Sequence, residues 1–353
     1  LLAFYEENPD FIRPETRKNE IVSFVKSGLK DLSISRSTFD WGVPLPFDEG
    51  HVAYVWADAL LAYLTGIGYG DEGERAGEFE RRWPMQYHFV GKDITRFHCV
   101  IWPAMLMAAG MPITHTVFGH GFLLTKGEKM SKSKGNALRP ADLVKVFGVD
   151  AYRYYFRSDV QFGADGSISL ERMVQVYNAD LANTWGNLCS RVFNMTKKYF
   201  DGAVPEVPAE VKAKENPLRA ISDELYAEYD AALAAADFTR AAAAVQKLAS
   251  RVNLYVEESA PWNLAKSEET AGELAEVIYN ALEAIRIIAL YMAPLMPNTS
   301  AEVFRRLSLG SVTDVTDIEA ATAWGQLPAG NVVEIGDPLF PRLDTDAIDL
   351  SME

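Results

Sequence analysis

Along the second half of the chain, apolar positions recur every three or four residues. Val174, Tyr177, Leu181, Trp185, Leu188, Val192, Met195 and Tyr199 set out one stripe, which predicts a single long helix starting after Ser169. Val245, Leu248, Val252 and Tyr255 repeat the spacing, as do Leu274, Val277, Ile278, Leu282 and Ile285, so the stripe has partners and the segment predicts a helical bundle. The first half has another rhythm. Val52–Val55 and Tyr87–Val90 are short β-rich runs, each followed by a segment of helical spacing, Trp56–Leu64 and Gly91–His98; a third run, Thr114–Phe118, ends in Gly119-His-Gly121. This alternation predicts an α/β fold whose strand ends open onto glycines and helix N-termini, where doubly wound sheets bind nucleotides. Between the two halves, Pro140 sits in the first turn of a helix that Gly148 stops, and Asp150 is expected to cap the next, Ala151–Arg157.

The opening residues, Leu1 to Tyr5, read as the middle of an uncapped helix, which suggests a sequence that starts inside a larger protein. An amphipathic helix follows at Ile21–Ser27 with Gly28 as its stop, then an extended, proline-punctuated strip from Phe39 to Pro46.

At 353 residues, 48% hydrophobic and 24% charged, the chain has room for two or three domains with real cores. Cys99 and Cys189 lie far apart in apolar helical contexts, so neither a disulfide framework nor a cysteine zinc site is supported and a reducing cytoplasm fits. The apolar run Ile287–Met296 is too short to span a bilayer, and the N-terminus carries no charged-then-apolar signal. A net charge of -15 argues against nonspecific coating of nucleic acid, although a local basic cluster can still hold a polyanion on an acidic protein.

Such a cluster exists. Gly127-Glu-Lys-Met-Ser-Lys-Ser-Lys-Gly-Asn136 packs Lys129, Lys132 and Lys134 with Ser131 and Ser133 between two glycines. Ammonium groups and hydroxyl donors on a backbone free to approach suit a polyphosphate, and composition alone also fits a solvated turn. The order Lys-Met-Ser-Lys-Ser resembles the signature loop of class I aminoacyl-tRNA synthetases. Upstream, Lys26-Ser-Gly-Leu-Lys-Asp-Leu-Ser-Ile-Ser-Arg36 and Phe39-Asp-Trp-Gly-Val-Pro-Leu-Pro46 resemble the end of the domain inserted into the catalytic fold of the methionyl-tRNA synthetases.

Two residue sets then acquire meaning. Ile94 and His98 are four apart on one helix face, and Trp56, Ala59 or Leu60, and Tyr63 share a face of the preceding helix. Aromatics at helical spacing are core by default, but an unbranched, polarizable thioether calls for aromatic faces and one or two polar groups, here the Tyr63 hydroxyl and a His98 ring nitrogen. Trp56-Ala-Asp-Ala59 and Gly91-Lys-Asp-Ile-Thr-Arg-Phe-His98 resemble the family segments that line the methionine site, which implies Trp56, Ala59, Leu60, Tyr63, Ile94 and His98 as methionine-binding; Leu60 stands where many relatives have proline. Gly91 permits close backbone approach and Asp93 can accept from ribose hydroxyls, though a Gly-x-Asp turn also serves simply as a helix cap. On the first bundle helix, Asn183, Asn187 and Arg191 form a row beside the buried stripe, which by spacing alone equally fits a solvated face, and Ala260-Pro-Trp262 ends another helix with an indole that equally fits a plug of the bundle end. Unstacked RNA bases need an aromatic platform with amide or guanidinium groups for their edges. Asn187, Arg191, Pro261 and Trp262 match family motifs that contact the CAU anticodon, and Asp337–Arg342 resembles the family's carboxyl-terminal tail returning toward the catalytic body.

The resemblance implies a fold of α/β plus all-α type: the end of the inserted connective domain at 1–50, the second half of a Rossmann-like catalytic domain at 51–125, the lysine loop and linking region at 126–168, a helical anticodon-binding bundle at 169–325 and a tail at 326–353. It implies ATP with Mg2+, L-methionine and tRNA(Met) as substrates and partners, with Gly91, Asp93, Lys129, Met130, Ser131, Lys132 and Ser133 at the nucleotide and Lys129 and Lys132 catalytic. No His-x-Gly-His occurs in the chain, so these residues are expected to be inactive by themselves and the activity is assigned to a parent enzyme. Any zinc knuckle would lie in that missing part, which leaves the parent's zinc dependence undetermined. A cytoplasmic monomer is expected. The alternatives are another class I synthetase, for leucine, isoleucine, valine or cysteine, for which Trp56, Tyr63 and His98 are the wrong set, or a noncatalytic tRNA-binding module.

Overall fold

The structure is a computed structural model that describes residues 1–73, 75, 77–125, 127–130, 138–210 and 215–344, the side chain of Lys129 excepted. It divides into two compact units, residues 1–122 with 163–165, and residues 123–162 with 166–353.

The first unit is built on a three-stranded parallel sheet. Its strands are β1 (Ile12–Arg13), β5 (Tyr87–Gly91) and β6 (Thr116–His120), with β6 in the centre, so that Val117 lies between Ile12 and His88. In β5 the period of two is plain: Tyr87 and Phe89 are exposed while His88 and Val90 are buried. Helices α1 (Leu2–Glu7) and α2 (Glu15–Lys26) supply Tyr5, Ile21 and Val25 to a core shared with Phe11, Val90, Cys99 and Val117. The Tyr5 hydroxyl, enclosed there, donates to the Cys99 carbonyl at 2.6 Å. Residues 1–26, expected in a separate inserted domain, thus contribute a strand and two helices to the α/β unit.

A second difference concerns Val52–Val55, expected as a strand of the α/β alternation. The strand is β4 (Asp48–Ala53), and it pairs antiparallel with β2 (Ser35–Arg36) and β3 (Pro44–Leu45) in a sheet of its own, while Val55 opens helix α3 (Val55–Thr65). The reason is local. Leu45 pairs with Asp48 across two residues, and such a hairpin closes a far shorter loop than the crossover a parallel partner demands. Helix α3 packs Leu60 and Leu64 against Trp83, at the end of α4 (Glu78–Arg82), and against Trp102 and Leu106 on α5 (Trp102–Ala108). Each such buried side chain contributes roughly 1.5–3 kcal/mol.

The second unit begins with a small sheet in which β7 (Leu123–Thr125) lies between β8 (Glu128–Lys129) and β9 (Gly166–Ile168). Helix α6 (Pro140–Phe147) stops at Gly148, whose φ of 78° suits glycine. Asp150 does not cap the following helix α7 (Val149–Ser158). Instead its carboxylate accepts from the Thr299 backbone N–H at 2.5 Å, the Thr299 hydroxyl at 2.7 Å and Asn298 Nδ2 at 3.1 Å, and so caps the helix Pro297–Arg306 from across the unit.

The long helix is continuous from Leu170 to Phe200, with Ser169 accepting from the Arg172 N–H as its cap. Its middle, Tyr177–Gly186, is π-helical. It packs with the helices Pro217–Ala234, Phe238–Ser259 and Ala271–Met292 around one core. The last of these, read from sequence as a single stripe, is buried all round from Val277 to Met292. Glu283 and Arg286 lie within that buried stretch and pair at 2.6 Å. The carboxyl-terminal strip packs on the long helix of this same unit: Phe340 is buried 5.9 Å from the Tyr177 ring, and Asn178 and Leu343 exchange two hydrogen bonds. Among the described residues, no helix is long and apolar enough to cross a membrane.

Candidate functional site

In the first unit, helix α3 carries Trp56 and Tyr63 inward, and the segment after β5 brings Ile94 and His98 to meet them. His98 is 1% exposed. Its Nδ1 lies 3.0 Å from the Ile94 carbonyl, which can only accept, so the proton is assigned to Nδ1 and Nε2 is left as an acceptor. The Tyr63 hydroxyl fills that role, donating to Nε2 at 2.7 Å. Burial lowers the His98 pKa, partly countered by the Ile94 bond, and burial raises that of Tyr63. Both are therefore neutral at physiological pH.

This arrangement changes one expectation. The Tyr63 hydroxyl and the His98 nitrogen are not both free to reach a sulfur, because they are satisfied by each other. What the cluster offers an apolar side chain is ring surface. Trp56 stacks on Phe97 with centroids 4.1 Å apart and planes at 15°, and stands edge-on to His98 at 6.2 Å. Leu60, expected at the site, is 0% exposed in the core with Leu64 and Trp102, and Ala59 lies on the exposed side of α3. Helical geometry explains the split, since positions 59 and 60 are about 100° apart. Two neighbours were missed. Phe97 adjoins His98 directly, and His88, whose ring is 4.4 Å from that of Tyr63, follows from the alternation of β5 with Val90. A cavity of about 730 Å³ in this unit lies against Arg36, Phe39, Trp41, Tyr54, Val55 and Asp58 and is lined by none of the expected residues.

Gly91 and Asp93 are at the carboxyl end of β5, the end at which parallel sheets receive ligands. A Cβ on Gly91 would stand 2.7 Å from Asp93 Oδ1, so glycine is what lets that carboxylate fold back over the strand end. Next to it, Lys92 is held at 2.6 Å by Asp165, whose second oxygen accepts from the Phe122 N–H at 2.8 Å; Lys92 and then Phe122 keep the Asp165 carboxyl below its ordinary range. The start of the lysine loop belongs to the second unit. Lys129 is paired in β8 with Leu124, and Met130 is partly buried, its N–H directed to the Leu123 carbonyl at 3.4 Å. Ser131, Lys132 and Ser133 lie outside the described residues.

Also in the second unit, Asn183 and Asn187 are exposed along the long helix and Arg191 continues their row. Arg191 reaches Glu257 Oε1 at 3.4 Å, which places it beside the last turn of the helix Phe238–Ser259. That helix ends at Ala260, in a left-handed turn of φ 44° and ψ 58°, and the chain enters the short helix Pro261–Leu264. The turn divides the pair unequally: Pro261 is buried, whereas the Trp262 indole is 43% exposed. The indole is thus open to solvent, while the Pro261 ring packs inward.

Comparison with known proteins agrees with both units. Residues 1–193 match the family model of class I tRNA synthetases (M), and residues 204–350 match the anticodon binding domain of methionyl tRNA ligase. A methionine--tRNA ligase of Caldanaerobacter subterraneus is 46% identical over 100% of this chain and 54% of its own length; one of Streptomyces coelicolor is 47% identical over 98% of this chain and 64% of its own. Among solved structures, the Mycobacterium tuberculosis methionyl-tRNA synthetase in complex with methionyl-adenylate is 41% identical, superposes with a TM-score of 0.88, and is matched over 97% of this chain and 66% of its own. The chain spans between about half and two thirds of the length of these relatives. With catalytic and anticodon-binding regions both matched in order, the chain belongs to the methionyl-tRNA synthetase family of class I tRNA synthetases.

Proposed function

We propose that the protein to which these residues belong is a methionine--tRNA ligase, joining L-methionine to tRNA(Met) at the expense of ATP. The observation that carries the reading is the neutral Tyr63–His98 pair set against the Trp56 and Phe97 rings. An uncharged, ring-walled site suits a thioether, which is polarizable and a weak acceptor, and disfavours charged side chains that it would desolvate without a partner. Trp56, Tyr63, Ile94 and His98 hold the side chain; on α3, Leu60 turns into the core and Ala59 toward solvent, away from this wall.

The chemistry follows from the substrates. The methionine carboxylate attacks the α-phosphorus of ATP, pyrophosphate leaves, and a terminal ribose hydroxyl of tRNA then attacks the activated carbonyl. Gly91 and Asp93 receive the nucleotide at the end of β5, with Met130, Ser131 and Ser133 contributing from the lysine loop. Lys132, with Lys129, neutralises charge that builds on the departing pyrophosphate. Mg2+ arrives with the nucleotide and shields its phosphates. Asn187, Arg191 and Trp262 read the anticodon, the indole stacking a base and the amide and guanidinium groups meeting base edges.

Pyrophosphate exchange by the complete protein, run with each of the amino acids in turn, tests the reading. Exchange should depend on methionine, and equal rates with leucine, isoleucine or valine would overturn it.

A further inference from the structure

His88 is 4% exposed, and among the described residues its Nε2 is enclosed without a hydrogen-bond partner. A phenylalanine would fill the same space on β5 without burying an unsatisfied nitrogen, so the imidazole calls for a physical role. Its surroundings supply one. The His88 ring stands 4.4 Å from the Tyr63 ring at 63°, an edge-to-face arrangement, and 5.7 Å from the His98 ring. That spacing and tilt admit a ring N–H of one ring against the π face of the other. Burial, and then the neighbouring His98, lower the His88 pKa to about 4, so the ring is neutral at physiological pH and carries a single N–H.

Building on the methionine-site reading above, we propose that His88 is a positioning residue: its Nε2–H, against the phenol face of Tyr63, fixes the ring rotation that delivers the Tyr63 hydroxyl to His98 Nε2. The hydrogen bond at 2.7 Å holds the Tyr63 oxygen, while the rotation of its ring is set by the rings packed on it, Trp102 at 6.2 Å and His88 at 4.4 Å. Held from both sides, the Tyr63–His98 pair presents one fixed surface to the bound side chain. His88 itself need not touch the substrate.

Three substitutions in the complete protein test this. His88→Phe keeps the ring and removes the N–H; His88→Gln keeps an N–H near the Nε2 position; Tyr63→Phe removes the hydroxyl through which His88 is proposed to act. His88→Phe should raise the methionine KM about 10-fold while the ATP KM and kcat stay within about 2-fold, and His88→Gln should stay within about 3-fold of the unaltered protein. In the Tyr63→Phe background, His88→Phe should add less than about 2-fold. Equal effects of His88→Phe in both backgrounds, or equal losses with Phe and Gln, would overturn the proposal. A second readout needs no substrate. In protein labelled with 15N-histidine, the His98 Nε2 resonance should shift in His88→Phe and hold in His88→Gln, and an unmoved resonance in both would refute the positioning role even if methionine activation itself were absent.

Discussion

Glu283 offers the sharpest test of how the second unit is held together. Its Oε1 accepts from Arg286 Nη2 at 2.6 Å and from the N–H groups of Gly325 and Gln326 at 2.8 and 3.0 Å; its Oε2 accepts from Arg286 Nε and the Leu327 N–H, each at 2.9 Å. Arg286 in turn donates to the carbonyls of Ala321 and Ala323. One carboxylate, 0% exposed, thus ties the segment 321–327 to the central helix. Glu283→Gln removes the charge opposite a buried guanidinium and turns an NH2 toward backbone donors, which should cost about 3–5 kcal/mol. Against a typical domain stability of about 5–15 kcal/mol, and with a urea dependence of about 1–3 kcal/mol per molar, the midpoint should fall by roughly 1–5 M. Equilibrium urea unfolding followed by far-UV circular dichroism measures it. The double variant Glu283→Leu, Arg286→Met discriminates between the two parts of the cluster. If only the ion pair mattered, swapping both partners for apolar groups would be nearly neutral. Because three backbone N–H groups would also lose their acceptor, at about 1–3 kcal/mol each, the double variant should remain destabilised. A double variant as stable as the unaltered protein would refute this reasoning.

Three further outcomes follow from the first unit and the lysine loop. His98→Ala in the complete protein should raise the methionine KM by an amount on the order of 1–3 kcal/mol and weaken discrimination among amino acids, with ATP binding hardly changed; equal losses for both substrates would make His98 structural. Lys132→Ala should lower the adenylation rate roughly 100-fold or more with methionine binding nearly intact, and Lys134→Ala should do much less, so indistinguishable effects in pyrophosphate exchange would point to a nonspecific basic turn. As for pH, His88 titrates at about 4 when folded against an ordinary 6.5, so between those values the unfolded chain binds the proton that the folded chain refuses. Stability should therefore be full above about pH 6.5 and decline by about 3 kcal/mol as pH falls to about 4, and in urea titrations across that range His88→Phe should remove this part of the slope.

What the sequence revealed depended on whether a residue's role was periodic. The helix Leu170–Phe200 was legible because its apolar stripe has a polar face beside it, whereas Ala271–Met292 has no such face over its buried length, so no stripe could reveal that it is surrounded. Short β-rich runs say that a strand forms and not which strand it joins, hence the misplacement of β4. Asp150 looked like a cap by its spacing, and its true helix lies 147 residues on, at Pro297, beyond any local pattern. The pair Glu283 and Arg286, three apart, reads in sequence like an ordinary surface ion pair. In the candidate site, helical spacing groups Trp56 with Tyr63 and Ile94 with His98, and only the family resemblance sets the two pairs together. That Tyr63 and His98 satisfy each other, that Leu60 is core and that Pro261 is buried are facts of packing, which one-dimensional spacing does not carry.

The proposed function divides labour, with amino-acid activation in the α/β unit and the lysine loop and tRNA reading on the helices. Trp262→Ala tests it most directly, because the indole is exposed and its loss should cost about 1–3 kcal/mol of stacking per base. The measurement is paired: tRNA aminoacylation and tRNA-independent pyrophosphate exchange on the same variant of the complete protein, with circular dichroism to report its helicity. Charging should fall at least several-fold while exchange and helicity are retained. Loss of both activities together with helicity, or retention of both activities, would contradict it.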